Sequence, residues 1–113
     1  MGGVMIVVTS GPRAVSRIGG ALRLAAAMLG MDYPPVLVFL DEGVNCLRPG
    51  ALDPGLWDYL KASADLADVH VLSESLEERG LGVDDLDPRL GATPIDMDGL
   101  AEMAEEVEVT VAF

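Results

Sequence analysis

The sequence predicts an α/β protein: one domain, mostly a five-stranded parallel sheet with helices on both faces. Three observations carry this. Two continuous apolar runs, Val4–Thr9 and Val36–Leu40, read as central strands buried on both sides. Segments of helical period stand between the strand-like runs, and strands alternating with helices imply right-handed parallel crossovers. The 113 residues are 50% apolar, enough for a core without a metal or disulfide staple.

In order, Val4–Thr9 forms strand one and Ser10-Gly11-Pro12 ends it. Ala14 to Leu29 reads as a helix, with Ile18, Leu22, Ala25, Ala26 and Leu29 on one face and Gly30 as the C-cap. Gly19-Gly20 lies inside it at a cost of about 1 kcal/mol per glycine, which a close strand–helix approach would explain. After the Asp32–Pro35 loop, Val36–Leu40 is strand two, and Asp41 to Gly50 is a polar loop. Asp53-Pro54 opens a second helix by the N-cap and N1-proline rule, running to Leu66 with Leu56, Leu60, Ala64 and Ala67 along one side. Val69–Leu72 is strand three and turns directly into a short helix. Ser73 and Ser75 offer cap oxygens there, Ser75 and Glu78 have capping-box spacing, and Gly80 suits the helix end. Ala92–Ile95 is a short edge strand, because Pro94 cannot donate to a central ladder. Asp96 or Asp98 caps a helix over Gly99–Glu106, and Val107–Phe113 closes the sheet.

Composition excludes several classes. The net charge is −12, concentrated in the second half: residues 1–50 hold four arginines against three acids, and the other sixteen acids lie in residues 51–113 with three basic residues. Direct nucleic-acid binding is not expected, since phosphate contacts need clustered cations. The acidic half is either a solvated face or a surface for a basic partner. One cysteine rules out an internal disulfide, and one cysteine with one histidine leaves no metal cage, so neither metal nor cofactor is expected. No run reaches the ~18 apolar residues of a membrane span, and the first residues lack a signal-peptide pattern. A reducing, cytoplasmic setting is the expectation.

The chemistry-bearing residues gather at predicted strand ends, where open α/β sheets bind ligands. Cys46, the only thiol, stands beyond strand two. Arg48 would favour its thiolate, and Asp41 and Glu42 would oppose it. Ser10, Gly11 and Arg13 precede the first helix and suit either an anion site, with Arg17, or a plain turn. Asp41-Glu42 and Gly43 form a turn in which the adjacent carboxylates lack a third metal ligand. Leu72, Ser73 and Ser75 mark the strand-three joint, whose helix N-terminus favours an anion or thiolate. His70 falls on the opposite strand face from Val69 and Val71, as a core or interface histidine or an acid–base group. Trp57 and Tyr59 on the second helix suit a subunit face.

Three stretches, with the order of elements, resemble the DsrE/DsrF-like sulfur-relay family: Ile6–Pro12, Val38–Val44, and Ser75–Leu81 with the closing helix and strand. The Gly43–Gly50 loop and Ser75–Leu81 look most like the DsrF (TusC) branch. The resemblance implies a flavodoxin-like domain that assembles into homo- or hetero-oligomers, trimer to hexamer, with sulfur-relay proteins as partners. It implies transfer of persulfide sulfur toward tRNA thiolation or in sulfur oxidation. The family's sulfur-carrying cysteine stands eight residues before the glycine that matches Gly80, and here that position is Leu72. A non-catalytic or accessory subunit is the first expectation. A sulfurtransferase using Cys46, or a small-molecule or anion-binding module at the strand ends, are the alternatives.

Overall fold

The computed structural model describes residues 3–113. Five strands, β1 (Val4–Val8), β2 (Val36–Phe39), β3 (Asp68–Leu72), β4 (Thr93–Ile95) and β5 (Val109–Ala112), form one sheet in the order β4-β3-β2-β1-β5. Every pairing is parallel, with Ile6 opposite both Leu37 and Val111, and Val38 opposite His70. The helices are α1 (Val15–Gly30), α2 (Pro54–Leu66), α3 (Ser73–Glu78) and α4 (Met97–Glu106). The expected α/β fold is therefore the observed one.

Strand alternation sorts the core into two layers. Ile6, Val8, Leu37, Phe39, Val69 and Val71 point to one face and pack under Ile18, Leu22 and Ala25 of α1 and Leu56 and Leu60 of α2. Met5, Val7 and Val38 point to the other, where Leu100 and Met103 of α4 lean on them. The second layer is thinner, and α4 has no fully buried residue. Topology explains the asymmetry. The chain steps from β1 to β4 in one direction, then crosses the sheet once to place β5 beside β1, which leaves α4 alone on the far face.

Local signals decide most element ends. Asp53 accepts from the Leu56 N–H at 2.9 Å, with Pro54 at the first helical position. Asp96, rather than Asp98, caps α4 by accepting from the Gly99 N–H at 2.7 Å, so the helix starts two residues earlier than expected. Gly80 takes a left-handed conformation (φ +66°). Its N–H reaches Glu77 O while the Leu81 N–H reaches Leu76 O, a Schellman end to α3. Gly30 is the last residue of α1 and not its cap, a place taken by Met31.

Two further expectations fail. Asp41–Leu47 is a 3-10 helix and not an open loop. The Ser75–Glu78 capping box is not formed: α3 starts at Ser73 behind Leu72, no side chain caps it, and the Ser75 hydroxyl is turned inward. The close strand–helix approach expected at Gly19-Gly20 is not along a strand backbone. A side chain on Gly20 would meet the Phe113 ring, and one on Gly19 would meet the Arg23 guanidinium.

Candidate functional site

Three neighbouring strands deliver their carboxyl ends to one edge, and the residues singled out from sequence sit there in three groups. Ser10, Gly11 and Arg13 follow β1. Asp41, Gly43 and Cys46 lie in the 3-10 helix after β2. Leu72, Ser73 and Ser75 make the passage from β3 into α3.

Close contacts fasten these groups together. Gly43 passes so near β1 that any Cβ would run into the Val8 carbonyl, which itself accepts the Leu40 N–H at 3.0 Å. Asp41 has a positive φ of 51°, and its N–H is turned to the Ser75 hydroxyl oxygen at 2.9 Å. Arg79 bridges the second and third groups. Its Nε and Nη2 donate to Glu42 Oε2 at 2.8 and 2.7 Å, and its Nη1 to the Ser75 carbonyl at 3.2 Å. Glu42 in turn accepts from the Asn45 side chain at 3.3 Å. The acidic turn is thus clamped to α3 by a cation that no short motif announces; Arg79 and Asn45 lie 37 and 3 residues from Glu42.

Cys46 is 1% exposed. Its Sγ faces the Ser10 carbonyl oxygen at 3.6 Å as a weak donor. Burial pushes the thiol up to about 12, because a thiolate there would lose its hydration. The expected activation by Arg48 is not seen: burial alone accounts for the shift, and it runs the other way. At neutral pH the thiol is therefore held in its protonated form.

Leu72 is 3% exposed and pairs with Ile95 at the end of β3. Ser73 is half-buried and Ser75 fully buried. This joint offers packed aliphatic and hydroxyl groups and no thiol. His70 lies half-buried between Val38 and Thr93, outside the main core layer that takes Val69 and Val71. Its Nδ1 is buried without a hydrogen-bond partner. Trp57 is engaged within the chain: the Arg89 guanidinium stacks 4.6 Å from its ring centre, while Tyr59 stays exposed.

An open cavity of about 960 Å³ stands at the ends of β1 and β2, with Gly11, Arg13, Glu42, Asn45, Arg48 and Asp85 on its walls. Of the sequence candidates, Gly11 and Arg13 reach it, while Leu72, Ser73 and Ser75 do not line it. The edge therefore has two separate features, an open cavity of mixed polar and apolar lining and a closed aliphatic joint. Among the described residues, no group of acids, histidine and cysteine could hold a metal ion, and no helix is long and apolar enough to cross a membrane.

Comparisons place the chain among known folds. The YchN protein of E. coli superposes with a TM-score of 0.80 over 100% of both chains at 19% identity. MTH1491 of Methanobacterium thermoautotrophicum gives a TM-score of 0.71 over 100% of both chains at 17% identity. At such identities the likeness concerns the fold. No curated protein matches the chain. The model of the DsrE/DsrF-like family matches residues 2–113, practically the whole length. With that match spanning nearly the whole chain and the same fold in both solved structures, the chain belongs to the DsrE/DsrF-like family.

Proposed function

We propose that this chain is a non-catalytic, partner-binding subunit of a sulfur-relay assembly, of the DsrF type, and not a sulfur carrier itself. One observation carries the reading: the β3–α3 joint, the position the family resemblance marks for a reactive cysteine, is filled by the packed side chain of Leu72. The leucine side chain has no nucleophilic atom with which to accept sulfane sulfur. The neighbouring Ser73 cannot replace a thiolate as a sulfur nucleophile. Cys46 is a poor substitute, since a buried thiol pushed up to about 12 presents almost no thiolate to a persulfide donor.

On this reading the fold keeps the scaffold, and a partner subunit supplies the thiol. The clamp of Arg79 on Glu42 and Ser75 keeps the joint rigid as a docking edge. Intact-mass spectrometry after exposure to a polysulfide donor tests it. The native chain is expected to gain no sulfur, whereas Leu72→Cys in a Cys46→Ser background gains one sulfur atom, about 32 Da. Rapid, transferable labelling of Cys46 in the native chain would overturn the proposal in favour of a sulfurtransferase. A Leu72→Cys variant that folds, whose thiol reacts with a small alkylating reagent and which still gains no sulfur, would show that this joint is not the sulfur position.

A further inference from the structure

The cavity at the ends of β1 and β2 has no part in the sulfur reading, and its walls have a definite chemistry. Two arginines from different segments line it: Arg13 from the β1–α1 turn and Arg48 from the end of the 3-10 helix. Both are exposed, and among the described residues neither forms an ion pair, as is also true of Arg17 and Arg23. The first turn of the 16-residue helix α1 begins at the same wall. Ala14 at its N-cap brings no side-chain acceptor, and no acid stands in the first turn. Its leading N–H groups and partial positive charge are thus left without the usual internal partner. Of the two wall acids, Glu42 is already neutralised by Arg79, and Asp85 turns one oxygen to the Gly82 N–H at 2.8 Å. Apart from Asn45, the remaining wall is small and apolar, with Pro12 and Pro49. The space of about 960 Å³ is far more than an inorganic ion fills and is the size of small-molecule sites.

We propose that this cavity binds a small organic phosphate, its phosphate between Arg13, Arg48 and the N-terminus of α1 and its organic body against the prolines. Two guanidinium groups with a helix N-terminus favour a dianion over a single carboxylate, because a phosphate monoester carries nearly two charges and several acceptor oxygens. The site stands apart from Leu72 and does not depend on the sulfur reading.

Isothermal titration calorimetry of the full chain with AMP, glucose 6-phosphate and inorganic phosphate tests it. At least one of the two esters is expected to bind more tightly than inorganic phosphate. Arg13→Gln and Arg48→Gln should each weaken that binding roughly tenfold or more. Asp85→Asn should tighten it, since an uncompensated wall acid is removed. Higher salt should weaken it. Absence of heat with all three probes at millimolar concentration overturns the proposal. So does binding that survives both arginine substitutions, or an ester no tighter than free phosphate. The unfolding temperature of each variant without ligand shows that it is folded, so a lost signal reports the site.

Discussion

Gly43 is a residue with a single permitted identity. Its Cα passes against the β1 backbone, where a methyl group would collide with the Val8 carbonyl oxygen, and a carbonyl already holding the Leu40 N–H cannot step aside. Gly43→Ala should cost about 2 kcal/mol or more, in the range of overpacked cores, read as a lower urea midpoint at unchanged slope. Cys46 yields a prediction with a definite sign. Its thiol is raised from 9.0 to about 12 on folding, so the native state holds its proton more tightly than the unfolded one. That contribution to stability is whole below about pH 9 and is lost as pH rises toward 12. Denaturation curves at pH 8 to 11 should therefore fall more steeply for the native chain than for Cys46→Ala. Only the difference between the two chains reports the thiol.

Elements show where local signals suffice and where they do not. Asp53-Pro54 is a complete helix start in two residues, because cap oxygen, N1 ring and receiving N–H all lie within one turn. Asp53→Ala should lower stability by about 1 kcal/mol, measurable by thermal unfolding. Apolar runs likewise announce β1 and β2, since a strand buried on both faces needs no partner to be recognised. Ser75 is the opposite case. Its spacing to Glu78 promises a cap, but the donor that wins its hydroxyl is the Asp41 N–H, 34 residues away. The 3-10 helix after β2 is hidden for a related reason: it is held by β1 behind Gly43 and by Ser75 and Arg79 of α3, none of them local. The candidate site shares this limit. Residue types at strand ends mark Ser10, Gly11, Arg13 and Cys46, but the burial of that thiol and the placing of Arg13 and Arg48 on one cavity are products of tertiary packing.

For the whole molecule, the two faces of the sheet carry unequal cover. One bears α1 and α2, and the other bears α4 alone with no fully buried side chain. A sheet layer so thinly covered fits the proposed assembly, in which neighbouring copies or partner subunits finish the burial. Light scattering at micromolar concentration is expected to give a trimer-to-hexamer mass, and the mass of one chain would count against self-assembly.

The strand order has a consequence for how the chain is made. β1 spans Val4–Val8, but its neighbour β5 spans Val109–Ala112 and is the last strand of the sheet to be made. Until then β1 has a partner on one flank only, with a row of valine, methionine and isoleucine bordering an open ladder. A ribosome stalled before residue 109 would hold a sheet that is ordered on one side and adhesive on the other. Chaperone engagement on this protein should therefore be heaviest late in translation and end abruptly when the last strand docks.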